Sequence, residues 1–515
     1  MNTRILGRWA GLSTLAAALL VVAGCSLAPT YEKPDVNAPA AYKEAPVASV
    51  ATTGTQAGTS DGEPGTWKTA QPSDQIPRGE WWTVFDDATL NDLERQAADA
   101  NQNLKAAAAR VKEARAVNET ARSALYPSVD AGFGPTREKL SAASQLEPDG
   151  TNVPQQTLWR AQASASYEVD LFGRVSDSVK ASNADAQQSE ALFRSVQLAL
   201  QADVAQNYFN LREYDAQRDV YQRAVVLRQE AVKLVQRKFD DGDTSELDLA
   251  RAKAELATAQ SDQMGVERQR AETEHALAVL LGKTPAEFSL APNPIQPVRV
   301  EIPPGLPSAL LERRPDIAAA ERAMSAANSR IGVAKAAYFP SLSLTGTGGF
   351  ESATLADLFK WSSRAFLLGP LAGTALAVPI FDGGKRKGNL ADARAVYEED
   401  TAKYREQVLV GFQEVEDSLS DLRVLRDQTQ VQDEAVKDTT RAADISRKQY
   451  TEGAINYLDV IDAERSVLQS QLADVELTGT QAVSTVHLIR ALGGGWGDAT
   501  AVGTASATVQ QIAKQ

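Results

Sequence analysis

The sequence feature that most constrains the fold is an internal duplication. Residues around one glycine recur 211 positions later: Phe239, Gly242, Leu247, Asp248 and Ala252 match Tyr450, Gly453, Leu458, Asp459 and Ala463. The same shift relates a second group, in which Leu277, Leu281 and Gly282 match Leu488, Leu492 and Gly493. A constant shift over such a span predicts two halves with equivalent structures.

Each half contains a long segment without proline, residues 175–239 and residues 388–450, in which apolar residues recur at three- and four-residue steps. This period predicts amphipathic α-helices. A helix of roughly 63 residues is about 95 Å long, whereas helices of soluble proteins average about 11–12 residues. Tip turns are expected at about 240–245 and 451–456, each followed by a return helix of roughly 35 residues. Helices of this length indicate an elongated object.

Other segments of each half alternate strictly between apolar and small polar residues. Val129, Ala131 and Phe133, for example, alternate with Asp130 and Gly132. Strands are therefore expected at about 126–135, 159–171, 339–350 and 371–381. The pattern is that of strands between lipid and water.

Four strands are too few to seal a sheet in a membrane. Unpaired backbone groups at an open sheet edge cost several kcal/mol each in lipid, and bacterial membrane barrels have at least about eight strands. Copies of the chain must complete the barrel, and a trimer supplies about 12 strands. The expected fold class is mainly α with a transmembrane β-barrel. Duplicated helix-strand-strand-helix-helix repeats form a trimer whose β-barrel continues as a long α-helical barrel.

The N-terminus predicts export and lipid attachment. Arg4 and Arg8 precede an apolar segment at 12–22, which is too short for a transmembrane helix and fits a signal peptide over residues 1–24. Residues 22–25, Val-Ala-Gly-Cys, resemble a bacterial lipobox, so Cys25 is the expected lipidation site. Ser26 follows it instead of Asp, which by the same resemblance favours sorting to the outer membrane.

The remaining boundaries follow from composition and from the duplication. Residues 25–80 are expected to form a lipidated N-terminal linker and residues 497–515 a disordered tail, because both are rich in small residues. The first repeat is expected at 81–290, an inter-repeat linker at 291–306 and the second repeat at 307–496.

The net charge and the residue types argue against several classes of function. The formal net charge of -14 argues against nucleic acid as a partner, since phosphate binding requires clustered Lys and Arg. Two His and one Cys provide no His/Cys metal cluster, and the sequence has no Walker-type phosphate loop. Catalysis, a metal site and any cofactor other than the covalent lipid on Cys25 are therefore not expected.

Several motifs resemble the TolC-like outer membrane factor family, specifically the lipidated branch that works with RND-type pumps. In chain order, they lie at residues 81–86, 167–174, 305–317, 378–384 and 491–496. The most specific is the run Arg313-Arg314-Pro315-Asp316 between the repeats. The resemblance covers roughly residues 81–496.

This resemblance implies the outer membrane channel of a tripartite efflux system, a passive exit duct for small molecules such as drugs or toxic compounds. The implied partners are two further copies in a homotrimer, outer membrane lipid, a periplasmic adaptor (membrane fusion) protein and an inner-membrane RND transporter. The adaptor is expected to open the periplasmic end of the duct.

The segment after Gly453 resembles the periplasmic gate of this family. The implied gate residues are Tyr450, Leu458, Asp459, Asp462, Arg465 and Asp248. Leu458, Asp462 and Arg465 share one helix face, and Leu458 with rings of Asp459 and Asp462 is expected to constrict the mouth. Arg465, which interrupts an otherwise apolar packing row, is expected to pair with Asp462 or Asp248. In the alternative interpretation these are solvated charges favoured by the helix dipole.

The two tip turns are the expected contact sites of the adaptor, through Gly242, Thr244, Gly453 and Ala454. Each glycine also fits the C-cap of a helix, where a positive φ is required. Ile455 occupies a position at which the family often has a basic residue.

Two other functions share part of this pattern. One is a type I protein-secretion duct, which the lipobox and the Arg313-to-Asp316 run disfavour by resemblance. The other is a lipid-anchored periplasmic coiled-coil scaffold that does not span the membrane. Long helices and Cys25 fit such a scaffold, whereas the alternating strand pairs do not.

Overall fold

The computed structural model of the chain describes residues 26–34, 39, 41–44, 79–146, 148–298, 300, 313–368 and 376–494. They belong to two compact units. The sheet unit contains the described residues within 1–35, 110–190 and 319–404, and the helical unit contains those within 36–109, 191–318 and 405–515. Cys25, most of the linker at 25–80, residues 301–312 and the expected tail lie outside the described residues.

The sheet unit contains an antiparallel sheet with strand order β1-β2-β3-β4, in which β5 also pairs with β3. The strands are β1 (Ser128–Glu138), β2 (Gln156–Val169), β3 (Ser341–Ser352), β4 (Arg364–Leu368) and β5 (Leu376–Ala377). The β2–β3 ladder joins the two repeats, with a register from Trp159 opposite Ser352 to Val169 opposite Leu342. On β1, Val129 and Phe133 are 70% and 65% exposed, as expected for an apolar outer face.

Three of the predicted strands overlap the observed strands to within a few residues, and the fourth overlaps an observed strand only in part. The segment predicted at 371–381 contains only β5, and β4 begins earlier, at Arg364. Residues 369–375 lie outside the described residues. Val378 and Ile380 are not in a strand, because Pro379 between them has no N–H to donate to a ladder.

The helices have nearly identical lengths in the two repeats. They are α1 (Ala88–Ala100), α2 (Gln102–Ser123), α3 (Arg174–Asp240), α4 (Glu246–Leu280), α5 (Pro315–Ala336), α6 (Lys385–Thr451) and α7 (Tyr457–Ala491). The long helices α3 and α6 each have 67 residues, and the return helices α4 and α7 each have 35. These lengths agree with the duplication. Among the described residues, the helices include none that is both long and apolar enough to cross a membrane.

The core of the helical unit forms around the turn Trp81–Phe85 and helix α1. Trp81, Leu90, Tyr208 and Leu277 are among its buried residues. Asp87 caps α1 by accepting from the amides of Thr89 and Leu90, and its other oxygen accepts from the Tyr208 hydroxyl at 2.5 Å. This single carboxylate therefore fixes α1 against α3.

Arginine pairs with buried carboxylates hold the connection between the repeats. Asp215 is fully buried and accepts from Arg270 at 2.6 Å and from the backbone N–H of Asn293 at 2.8 Å. Arg314, which is 5% exposed, binds Asp316 at 2.6 Å and the carbonyl of Ala491 at 3.0 Å. A buried charge is costly unless it is paired in this way.

Glu94 is the exception, and its burial predicts a pH-dependent stability. It is 1% exposed, neither of its carboxylate oxygens has a hydrogen-bond partner among the described residues, and burial raises its pKa to about 9. Between about 4.5 and 9 the folded state keeps a proton that the unfolded state has released, so the free energy of unfolding falls as the pH rises. At pH 7.5 the loss is on the order of 4 kcal/mol.

We therefore expect Glu94→Gln to reduce the decrease in Tm between pH 5.5 and pH 8.5, as measured by calorimetry in detergent. Glu119→Gln, at an exposed position of α2, is the control and keeps the wild-type pH dependence. An identical pH dependence in wild type and Glu94→Gln contradicts the assignment.

Candidate functional site

The two tip turns have the same backbone structure. Gly242 and Gly453 have φ values of 81° and 77°. The N–H of Gly242 donates to Phe239 at 3.0 Å and that of Gly453 donates to Tyr450 at 3.1 Å. Each turn contains a second bond of the same kind. The N–H of Asp243 donates to the Lys238 carbonyl at 2.7 Å, and the N–H of Ala454 donates to the Gln449 carbonyl at 2.8 Å. These are helix C-caps that require positive φ. A Cβ at either glycine would meet no atom within 4 Å, so φ alone selects glycine.

An acidic side chain takes part in the N-terminal capping of each return helix. Asn456 caps α7, and Asp459 completes a capping box by accepting from the Asn456 N–H at 3.2 Å. Asp248 on α4 accepts from Thr244 at 3.1 Å and from Ser245 at 2.9 Å. Both carboxylates thus satisfy groups at helix N-termini, in agreement with the helix-end interpretation. This contact does not exclude a second role at the mouth.

An apolar cluster lies directly beneath the turns and joins the two repeats. This turn cluster consists of Val235, Leu249, Ala252, Tyr450, Tyr457, Val460 and Ile461. Ile455 packs against it, which explains an aliphatic side chain at a position where a basic residue was expected. The cluster fixes the orientation of α7 relative to α3 and α4.

Tyr450 is held in this cluster by its ring. The centroids of the Tyr450 and Tyr457 rings are 5.2 Å apart, and Lys238 Nζ lies 4.4 Å from the centroid of the Tyr450 ring. Burial is the main cause that raises the Tyr450 pKa; contact with the Thr244 side chain lowers it and the nearby Asp248 carboxylate raises it.

The exposed face of α7 carries most of the predicted gate residues. Leu458 is 42% exposed, and the side chains of Asp462 and Arg465 are 64% and 58% exposed. Of the predicted packing row, Ile461 is buried, whereas Leu458 and Arg465 are exposed. Helix α7 also buries Tyr457, Val460 and Glu464. The charge within the packed face is Glu464, which accepts from Arg447 of α6 at 2.9 Å.

Arg465 pairs with a residue that the sequence did not indicate. Its Nε lies 3.1 Å from Oε1 of Glu255 on α4, and its Nη1 lies 3.7 Å from Asp462. The predicted alternative partner, Asp248, binds Arg251 at 3.5 Å. Within the chain, Arg465 thus contacts Glu255 and Asp462, whereas Asp248 contacts Arg251.

Glu255 links three helices. Besides Arg465 of α7, it contacts Arg228 of α3, whose Nη2 lies 3.4 Å from Oε2 and whose Nη1 donates to the Glu255 carbonyl at 2.9 Å. The Arg228 and Glu255 side chains are 7% and 13% exposed. Glu255 lies 210 positions before Arg465, so helix periodicity could not pair them. The available signal was its spacing of seven residues from Asp248, which places both on one face of α4.

The chemistry of this region is that of a charged and apolar surface. Among the residues that the structure describes, no group of three or more His, Cys, Asp or Glu side chains is arranged to hold a metal ion. Exposed Leu458 beside Asp459 and Asp462 provides steric bulk and negative charge. Such a surface can constrict a passage and attract cations.

The family model described as outer membrane efflux protein matches residues 93–283 and 306–494. The chain belongs to the outer membrane efflux protein family. The two matched segments correspond to the two halves of the duplication, and each contains one tip turn.

Similar proteins extend over nearly the whole chain. The toluene efflux pump outer membrane protein TtgF of Pseudomonas putida is 34% identical over 490 residues, which cover 94% of this efflux protein and 96% of the relative. The cation efflux system protein CusC of Escherichia coli is 30% identical over 481 residues, 93% and 97% of the two chains. The crystal structure of the Campylobacter jejuni outer membrane channel CmeC superposes with a TM-score of 0.81 at 25% identity, covering 95% and 98% of the chains.

The Glu255 contacts predict a local stability change. We expect Glu255→Gln to increase amide hydrogen exchange in the first turns of α7, because Arg228 and Arg465 lose their shared carboxylate at a cost of about 1–3 kcal/mol. Exchange followed by mass spectrometry measures the effect. Glu272→Gln on the same helix is the control, since its pair with Arg268 is well exposed. Equal exchange in the two variants contradicts a structural role for Glu255.

Proposed function

We propose that this efflux protein is the outer membrane duct of a tripartite RND-type efflux system, a passive exit for small molecules. The observation that carries the proposal is the combination of a sheet with two open edges and two 67-residue helices that follow its strands. Among the described strands, β1 pairs only with β2, and β4 pairs only with β3. Such edges are costly in lipid, so identical copies must complete the wall.

The proposed assembly is a homotrimer with a β-barrel of about 12 strands, continued by an α-helical barrel. A short exposed apolar row on α6 supports contact with another copy. Val424 and Val431, one heptad apart, are 47% and 67% exposed, and the row ends at Asp417 and Asp438. A heptad repeat is the spacing by which one helix packs against another in a coiled coil. A neighbouring copy of the chain is therefore the proposed partner of this row.

The proposed gate is the exposed face of α7. In a trimer, Leu458, Asp459 and Asp462 each form a ring of three side chains. The three carboxylates within a ring repel one another and attract cations. The Arg465–Glu255 pair holds α7 against the first repeat and replaces the predicted pair with Asp248. Tyr450 and Asp248 support the gate from beneath, through the turn cluster and the α4 N-terminus.

The tips at Gly242, Thr244, Gly453 and Ala454 are the proposed contact sites of a periplasmic adaptor, which in turn joins an inner-membrane transporter. The turns are exposed at Gly242 and Gly453, and their backbone amides are held by the C-cap bonds, so they are rigid and accessible. Crosslinks from Thr244 or Ala454 to an adaptor support this arrangement, and their absence in an assembled complex excludes it.

We further propose that Cys25 carries a covalent lipid, so that the protein is anchored in the outer membrane and extends into the periplasm. The lipobox-like residues 22–25 support this proposal. No catalytic role and no other cofactor is proposed. We assign the choice of transported substrate to the inner-membrane pump, because relatives of similar identity have names that refer to toluene and to cations.

The assembly is tested by native mass spectrometry in mild detergent. We expect a species of three chains, because the open sheet edges and the α6 row both require neighbours. A water-soluble monomer contradicts the duct and favours the periplasmic scaffold. A β-barrel that shifts its gel migration on heating separates the duct from the scaffold independently.

The gate is tested by conductance of the trimer in planar bilayers. We expect Leu458→Ala and Asp462→Ala each to increase the closed-state current, because they remove bulk and a carboxylate ring from the mouth. Met264→Ala, at an exposed α4 position outside the gate, is the control. A closed-state current that stays at the wild-type level in both gate variants rules out this assignment.

A further inference from the structure

A stacked pair of aromatic rings joins the two repeats where the helices of the sheet unit meet its strands. Phe172 lies between β2 and α3 of the first repeat, and Phe339 lies between α5 and β3 of the second. Their ring centroids are 4.7 Å apart, with an angle of 24° between the ring planes. Stacking at this separation is a favourable arrangement of two aromatic rings. The segment after β2 therefore contacts the segment before β3.

The sheet joins the repeats in the same order. The second strand of the first repeat, β2, pairs with the first strand of the second repeat, β3. Among the described strands, β1 pairs only with β2, and both β4 and β5 pair only with β3. The second repeat thus has a free side equivalent to the side of β2 that binds β3. The first repeat has a free side equivalent to that of β3.

The duplication gives each ring of the stacked pair a counterpart in the other repeat. Helices α2 and α5 each have 22 residues, and α5 begins 213 positions after α2. The same shift relates Tyr126 to Phe339, and each of these residues precedes a Pro-Ser pair. A shift of 209 positions relates Phe172 to Phe381, in the runs Val-Asp-Leu-Phe and Val-Pro-Ile-Phe. Phe381 and Tyr126 are therefore the counterparts of the stacked pair.

These counterparts are uncovered in the single chain. Phe381 and its neighbour Ile380 are 90% and 92% exposed, and Tyr126 is 68% exposed. Single exposed apolar side chains are common, but adjacent large ones at a defined place in the fold indicate an interaction site. The second repeat therefore presents apolar surface at the position where the first repeat contacts its neighbour.

The turn that carries Phe381 is held by hydrogen bonds. Asp382 accepts from the backbone N–H groups of Gly384 and Arg386 at 3.0 Å and 3.1 Å, and from Arg386 Nε at 2.5 Å. Arg386 also donates to the Pro379 carbonyl at 2.7 Å. These bonds fix the backbone on both sides of Phe381. Its ring is thus presented from an ordered turn at the start of α6.

We propose that Phe381, with Ile380 beside it, packs against Tyr126 of the partner subunit. The inference rests on the proposed homotrimer. Each contact between copies then repeats the Phe172–Phe339 contact within a chain, and the two kinds of contact alternate around the ring. Both lie where the strands end and the helices begin.

Lipid is the other candidate occupant, because aromatic residues also form girdles around membrane barrels. Two observations favour a second copy. Phe172 and Phe339, at the equivalent positions, contact each other. In addition, Ile380 and Phe381 closely follow β5, whose free edge needs a partner strand in hydrocarbon. A copy that binds this edge brings its β1, and with it Tyr126 of the partner subunit, to the same place.

Thiol crosslinking of the full-length protein in outer membranes tests the contact. The sequence has one cysteine, Cys25, so Tyr126→Cys with Phe381→Cys adds one defined pair of thiols. We expect a short bis-maleimide to join these thiols between copies, which gives covalent dimers and trimers on a denaturing gel. Chains with either substitution alone stay at the mass of a monomer.

Two further pairs are matched controls. Phe172→Cys with Phe339→Cys gives a crosslink within one chain, so the gel shows a monomer and mass spectrometry finds the joined peptides. Leu146→Cys with Phe381→Cys tests random collision, because Leu146 is 95% exposed but follows the opposite end of β1. We expect no crosslink between copies from this second pair.

A comparison of single and double variants tests whether the contact stabilises the trimer. We expect Phe381→Ala and Tyr126→Ala each to increase the rate of trimer dissociation in warm detergent severalfold. The double variant dissociates no faster than the more affected single variant, because residues in contact have non-additive effects. Leu146→Ala is the control and keeps the wild-type rate. Additive effects of the two substitutions contradict the contact.

A photocrosslink that leaves Tyr126 unchanged decides between protein and lipid. With a benzophenone amino acid at position 381, we expect covalent dimers in which the peptide containing position 381 is joined to the peptide containing Tyr126 of the partner subunit. Adducts that contain only phospholipid overturn the proposal and show that lipid covers this turn.

Failure of the contact is distinguishable from failure of the homotrimer. Native mass spectrometry of the same samples counts the chains. Three chains without a crosslink between positions 126 and 381, while the pair at 172 and 339 reacts, refute the aromatic contact alone. A single chain refutes the homotrimer and, with it, the contact between copies.

Discussion

Backbone hydrogen bonding at the edges of the sheet is the constraint on which the rest of the molecule depends. The described strands satisfy one another through β2 and β3, which come from different repeats, and leave the outer sides of β1 and β4 without partners. In hydrocarbon those groups have no water to bind. The same requirement accounts for small residues in the ladder, because a Cβ at Gly349 would lie 2.2 Å from the Ala161 carbonyl oxygen.

A second requirement is that each buried charged side chain has a partner of opposite charge or a hydrogen-bond partner. Asp215, Arg314 and Glu464 each meet it through bonds that cross between helices; the partner of Arg314 is Glu414 of α6. Glu94 does not, and burial keeps it protonated over the neutral pH range. The Glu255 pairs lie between these extremes, since Arg228 is buried and Arg465 is largely exposed. An ion pair with one solvated partner is weaker than a buried pair.

The sequence predicts most of the fold because the duplication and the two periods, near 3.6 and 2, act over many residues. Helix lengths and three strands were predicted in this way. The fourth predicted strand extended past Ala377 because alternation at Val378 and Ile380 ignored the missing N–H of Pro379. In the candidate site, the exposed face of α7 was predicted from spacing, but its packing row was not. Glu255 was missed because its partner is 210 residues away, and such a contact depends on tertiary packing.

The turn cluster has a consequence for changes in the length of the chain. Val235 and Leu249 from the first hairpin of helices contact Tyr450 and Val460 from the second. An insertion in α3 alone would move its residues out of that packing, even if it preserved the helical face. Lengthening is compatible with the cluster only when both hairpins gain the same number of whole heptads in both arms. The turn cluster therefore couples the length of one hairpin to that of the other, and the two hairpins have equal lengths.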